Sequence, residues 1–258
     1  MTNLFRKIRK QLSEDNNPVK YLRYAIGEII LVMVGILLAL QVNNWNEKRK
    51  TNNRANDLLK EMQVEIIQDT IDMGWNLSQH EAMLEAEETL LNVLKGEEDI
   101  LPPDFSFAMA LGIDPSSAVQ RSSIESLKNE GLSIIQNDSL RFMIAKLYDF
   151  YYKVIDEIEN RQENYDFYSR KLNLFSKYFK LDRTRGNNIT DAEENAEVSI
   201  DFDEIAPIDF DKLKNNEEFK VILSQSTFYR KVKISYYKET LERILQLDAA
   251  ITRELNAL

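Results

Sequence analysis

The chain contains no cysteine, which removes disulfides, thiol nucleophiles and thiolate metal sites together. Its single histidine is His80, so no multi-histidine metal site can be assembled within one copy. Only 7 glycines and 5 prolines occur in 258 residues. A sheet built from tight turns needs more of both, whereas long helices need few of either. No phosphate-binding glycine loop, nucleophile elbow or metalloprotease helix motif is present. Positive charge is also short: 33 Lys and Arg stand against 43 Asp and Glu, a net of −10. Nucleic-acid affinity comes largely from neutralised phosphates, so this balance argues against a nucleic-acid partner. No catalytic residue, metal ligand or cofactor site is expected.

What the chain does have is one long apolar run. Residues 24–42 read YAIGEIILVMVGILLALQV, with Glu28 as the one charged residue. As a helix this run spans roughly 28 Å at about 1.5 Å per residue, close to the thickness of a bilayer core. The residues after Ala39 make a poor cleavage site, so an uncleaved anchor is expected rather than a signal peptide. Arg23 on one side and Asn43, Asn44 and Trp45 on the other suit the headgroup zone. This divides the chain into a basic tail (1–23), a transmembrane helix (24–43) and a soluble domain (44–258). Residues 1–43 hold six Lys or Arg and three acids, which leaves the remainder with 27 bases and 40 acids, a net of −13. The basic flanks of the run are nearly matched in number. The short tail is the easier end to retain and long domains translocate largely regardless of charge, so the amino terminus is expected in the cytoplasm.

Leu4, Phe5, Ile8 and Leu12 fall on one face of the tail, flanked by Arg6, Lys7, Arg9 and Lys10. The tail is either an interfacial helix or a disordered basic segment. Within the run, Glu28, Val32, Gly35 and Ala39 lie within about 40° of one another at 100° per residue. Gly35 and Ala39 form a small-xxx-small pair, which lets two helices approach closely. Either this face is a self-association seam in which Glu28 finds a partner, or Glu28 reaches the headgroups and Gly35 is incidental.

Apolar residues then recur at helical spacing from 46 to about Gly96: Leu59, Met62, Ile66, Met73, Leu77, Leu84, Leu91 and Leu94, interrupted by Asp69 and Glu87. Gly74 is a candidate flexure point, Gly96 a C-terminal stop. His80 lies in this stripe, where a packed core residue is the ordinary outcome and a pH switch or ligand contact the alternative. Residues 97–120 read as a loop with three of the five prolines and with Phe105, Phe107, Met109 and Leu111. It either folds back over the helix ends or offers a ligand or partner surface. Ser122 and Glu125 suggest a capping box for a short helix broken at Gly131, and Asn137 and Asp138 a cap for a long helix over 138–181 whose stripe is rich in aromatics. Residues 182–206 look like an acidic loop. Asp191, Glu193, Glu194, Glu197, Asp201, Asp203 and Glu204 do not match calcium-loop spacing, so solvated acids are expected. One or two short helices over 209–224 and a last long helix over 227–258 complete the chain, with Phe228, Val232, Ile234, Leu241, Leu245, Leu247 and Ile251 on its apolar face.

The run 21–50, YLRYAIGEIILVMVGILLALQVNNWNEKRK, resembles a bacterial membrane-anchored family of unknown function, DUF6090. The run 123–152, SIESLKNEGLSIIQNDSLRFMIAKLYDFYY, resembles its second recurrent block. The resemblance implies an envelope protein of Gram-negative bacteria and brings no activity and no catalytic residues.

The expected fold is all-α, one N-terminal transmembrane helix continuing into a soluble antiparallel bundle of long helices, coiled-coil-like in its packing. The expected partners are the lipid bilayer, further copies of the chain and other membrane proteins. The leading functional expectation is an oligomeric scaffold or protein-interaction module. The alternatives are a ligand- or stress-sensing bundle that signals through a partner, and a carboxylate-dependent hydrolase.

Overall fold

No proline falls between Pro18 and Pro102, and before Gly96 nothing in that stretch stops a helix. In the computed structural model, which describes residues 18–112, 114–164, 167–190 and 199–257, helix α1 runs Pro18–Lys95, 78 residues. It passes through Gly74 without a break. It ends where the sequence places the stop: Gly96 adopts φ 79°, the Gly96 amide bonds the Val93 carbonyl (3.1 Å) and the Glu97 amide the Asn92 carbonyl (2.9 Å). That pairing is a Schellman cap, which glycine enters at least cost. The tail before residue 18, with its candidate interfacial face, lies outside the described residues, as do Asp191, Glu193, Glu194 and Glu197.

The chain divides into two units, Met1–Ala55 and Asn56–Leu258. In the first, the described residues are all helical. Ile29 through Leu40 face outward along the whole circumference, and the apolar window holds no buried residue. A helix apolar on all sides and unburied is long and apolar enough to cross a membrane.

The second unit is the bundle. After α1 come α2 (Phe107–Leu111), α3 (Ser122–Glu130), a 3-10 turn (Leu132–Ile134), α4 (Asp138–Lys146), a π-turn (Leu147–Tyr151), α5 (Tyr152–Asn164), α6 (Phe167–Tyr178), strands β1 (Phe179–Thr190) and β2 (Ser199–Pro207), α7 (Phe210–Lys214) and α8 (Glu217–Asn256). Side-chain bonds fix the directions. Gln63 on α1 reaches Asp248 (2.7 Å) and Thr252 (2.8 Å) on α8, while Glu87 meets Ser226 and Arg230, so α1 and α8 are antiparallel. Asn137 bonds Glu254 and Tyr151 bonds Glu239, so the α4–α5 rod is antiparallel to α8 as well. Three rods therefore enclose the core: Leu59, Met62, Ile66 and Met73 of α1, Leu140, Ile144, Leu147 and Ile155 of the second rod, and Ile244, Leu247 and Ile251 of α8. A second cluster, including Leu90, Leu94, Phe105, Leu111, Phe179, Leu213 and Phe219, closes the end of the bundle beside the hairpin.

Five departures from the periodicity have identifiable causes. The second rod is not one helix to residue 181: it passes through the π-turn and ends at Tyr178, because Phe179 begins an antiparallel hairpin. Part of the acidic stretch expected as a loop is thus strand, paired from Phe179↔Pro207 to Thr190↔Ser199 with a bulge between Asp182 and Gly186. The alternation Ser199-Ile200-Asp201-Phe202-Asp203 carries a period of two that its charge obscures. Helix α8 begins ten positions before Thr227, at Glu217, because the Asn216 side chain accepts from the Phe219 amide (3.1 Å) and Glu217 and Glu218 favour the positive helix end. Its buried face matches the expected one only in part: Ile234, Leu247 and Ile251 are buried. Phe228 and Leu245 are exposed (62% and 58%), while Arg230, Lys233, Tyr237 and Thr240 point inward. Ser122 is the first residue of α3 rather than its cap, and its hydroxyl is turned to Glu65. Asn137 caps α4 as the sequence predicts, accepting from Leu140.

Replacing the Asn216 cap tests the early start of α8. Asn216→Ala should lower stability by about 1 kcal/mol, read as a shift of the urea midpoint of the helical signal. An unchanged midpoint would mean that the first turns of α8 are held by Phe219 and Ile222 burial alone.

Candidate functional site

A segment outside helix and sheet must find acceptors for its amides elsewhere. The segment 114–121, here called the strap, finds them on side-chain carboxylates. Ser117 donates its amide to Glu159 (3.1 Å), Ala118 to Asp72 (2.9 Å) and Gln120 to Asp69 (2.9 Å). Just beyond it, Ser123 donates its amide (2.9 Å) and hydroxyl (2.5 Å) to Glu65, and Ser122 adds its own hydroxyl. Glu65, Asp69 and Asp72 lie on successive turns of α1, three acids in one stripe. Asp69 also accepts from Tyr152 (2.7 Å), and Glu159 from Tyr237. Burial pushes the Asp69 carboxyl above its ordinary range, Glu65 and Asp72 add to this, and the Gln120 and Tyr152 donors oppose it. Burial likewise raises the Tyr148, Tyr152 and Tyr237 phenols, so all three stay protonated.

The strap begins at Asp114, which enters a buried ion network. Arg230 of α8 is 1% exposed and grips Glu87 of α1 through Nε and Nη2, both at 3.1 Å. Its Nη2 also lies 2.8 Å from Asp114 Oδ1, while Lys233 Nζ donates to Asp114 Oδ2 at 2.7 Å. Ser226 donates to Glu87 (2.5 Å), and Lys171 of α6 stands 3.9 Å from the same carboxylate. Burial lowers Lys171, against the pull of Glu87 and Asp114. Burial would raise Asp114, but Arg230 and Lys233 outweigh it and hold that carboxyl well below its usual range.

His80 completes the network. Arg230 Nη1 lies 3.1 Å from His80 Nδ1. A guanidinium can only donate, so this geometry assigns Nδ1 as acceptor and Nε2 as the protonated nitrogen of a neutral ring. Burial lowers the imidazole to about 4, Lys233 and Arg230 contribute, and Asp114 opposes. The ring meets Tyr237 edge-on, centroids 5.4 Å apart. His80 is thus a fully buried partner of an ion pair. Among the described residues, no three His, Asp or Glu side chains converge as a metal-binding group.

The residues singled out from sequence fall in separate places. Glu28 is half-exposed, and Val32, Gly35 and Ala39 are exposed in the first unit, where a Cβ added at Gly35 meets nothing within 4 Å. Arg23, Asn43 and Asn44 are exposed, and Trp45 carries the Arg49 guanidinium 5.5 Å from its ring centre. Phe105 and Leu111 are buried, Phe107 and Met109 half-buried. Phe107 packs against Phe105 (5.0 Å) and Phe179 (5.7 Å), so this loop folds over the helix ends. Sequence reasoning missed Asp114, Lys171, Arg230 and Lys233. The available signal was Asp69 and Glu87 standing in phase with the apolar stripe, a position where a charge needs a buried partner.

Two outcomes follow for this network. Glu87→Ala leaves Arg230 buried with half of its neutralisation and should destabilise by about 3–5 kcal/mol, measured by denaturant unfolding. His80 titrates near 6.5 unfolded and about 4 folded, so the fold excludes its proton. Stability is therefore unaffected by His80 above pH 6.5 and falls as pH drops from 6.5 towards 4, by roughly 3 kcal/mol in all at about 1.36 kcal/mol per unit. Asp69 works the other way, returning stability as pH falls through its raised folded value. Comparing wild type with His80→Gln across pH 7 to 4 isolates the histidine, and parallel curves would contradict the assignment.

No curated protein and no solved structure matches the chain. One protein-family model does, that of DUF6090, a family of unknown function, over residues 28–201. The match begins in the apolar run, takes in the strap and its acids, and covers more than half of the chain, which therefore belongs to the DUF6090 family.

Proposed function

We propose that the protein is a membrane-anchored envelope protein acting as an oligomeric scaffold or protein-interaction module. The observation that carries this reading is the apolar window of α1, none of which is buried within the chain. Side chains such as Leu31 and Leu37, 65% and 58% exposed, would be strongly disfavoured in water and are satisfied by lipid or by another span. The placement follows from charge: the basic tail on the cytoplasmic face of the inner membrane, the acidic bundle in the periplasm.

The same window supports assembly. Helices in lipid associate through close packing and polar contacts rather than apolar burial. Gly35 leaves open space on its helix surface, with Ala39 and Glu28 on the same face. A second copy laid along Glu28, Val32, Gly35 and Ala39 makes a homodimer, and other membrane proteins dock by the same means.

Crosslinking in detergent tests the assembly. Gly35→Leu should weaken the dimer by roughly 1–2 kcal/mol, whereas Leu37→Ile on the opposite face should leave it unchanged. A monomeric wild type, or equal responses from both faces, refutes the seam. A reporter active only outside the cytoplasm, fused after residue 258, should be active. Activity of a cytoplasm-dependent reporter alone reverses the orientation.

A further inference from the structure

Arg230 and Lys233 stand one turn apart on α8, 1% and 2% exposed. The anion that joins them belongs to none of the three rods. Asp114 lies on the strap, and the strap is held to the bundle by its amides on Glu159, Asp72 and Asp69. Those contacts run to side-chain acceptors and are part of neither a ladder nor a helix. They can be released without unfolding any rod.

We infer that the Asp114 carboxylate is an internal stand-in for a ligand, and that Arg230 and Lys233 form a receptor for the carboxylate of a short organic acid, which displaces the strap on binding. The two cations face different oxygens of Asp114: Lys233 Nζ donates to Oδ2 at 2.7 Å, and Arg230 Nη2 makes an ion-pair contact with Oδ1 at 2.8 Å that lacks hydrogen-bond geometry. A free carboxylate reproduces that arrangement, so binding exchanges one charge-assisted pair for another. Glu87 keeps its two-pronged hold on Arg230 throughout and fixes the guanidinium plane. His80 accepts from Arg230 while neutral and adds no charge to the site. Sites of this kind, made of side chains on facing helices, are where bundles hold small ligands. Neither membrane anchoring nor assembly is required for this site.

The test uses the full chain in detergent, with acetate and succinate as probes and inorganic phosphate as the comparison. Removing the stand-in should open the receptor: Asp114→Ala should bind succinate at least tenfold more tightly than wild type. Asp114→Ala/Lys233→Met should lose that gain. Asp114→Asn, which keeps the side-chain shape, serves the same comparison if the alanine variant does not fold. In wild type, excess succinate should speed hydrogen exchange at the Ser117, Ala118 and Gln120 amides. A purely structural ion pair would leave that exchange unmoved. A folded Asp114 variant that binds no more tightly than wild type overturns the proposal. So do strap amides unaffected by succinate at a hundred times the variant's Kd, and phosphate that binds as well as the carboxylates overturns the ligand class.

Discussion

A guanidinium buried in a helical bundle has to be neutralised where it stands, and Arg230 is neutralised from two directions. Glu87 reaches it from α1 and Asp114 from the strap. Neither contact is optional in the low-dielectric interior, where an unpaired charge is costly and a paired one is roughly neutral in net effect. The network therefore acts less as a source of stability than as a specification of register. Glu87 meets Arg230 only when α1 and α8 are aligned antiparallel at one setting, and the Gln63 contacts with Asp248 and Thr252 repeat that setting farther along the pair.

The acids of α1 extend the same logic to the strap. Glu65, Asp69 and Asp72 repel one another along one stripe, yet each is placed to receive an amide or hydroxyl from the strap or the start of α3. The helix supplies acceptors, the unpaired segment supplies donors, and each relieves the other's deficit. Ser122, free of any capping role, contributes its hydroxyl to the same arrangement.

The long apolar run, the stop at Gly96 and the Asn137 cap were legible because each depends on residues near in sequence. The aromatic stripe of the second rod was legible in part: Tyr148, Tyr151 and Ile155 are buried. Its end was not, because Phe179 suits a strand as readily as a helix and only its partner Pro207 decides between them. The apolar face of α8 was legible in part: Ile234, Leu247 and Ile251 are buried, whereas Phe228 and Leu245 are exposed. Arg230 faces inward because Glu87, distant in sequence, compensates the guanidinium. Asp114 gave no local signal at all, since a lone acid in a proline-containing loop is ordinary. Periodicity reports local pattern, whereas the ion network is set by pairs such as Glu87 and Arg230 that lie 143 residues apart.

That separation has a consequence for how the chain comes to its fold. The Gln63–Asp248 bond spans 185 residues, so α1 cannot complete its antiparallel pairing until synthesis has passed residue 248. Loops this long close slowly, because chain entropy is lost before any contact rewards it. During synthesis the apolar stripe of α1 and its embedded Glu87 stand without α8, while the strap and the second rod are already available to cover part of them. Helix α8, made after α1 and the second rod, completes the charge balance, and a chain truncated before residue 230 keeps a buried-type glutamate with no arginine to meet it.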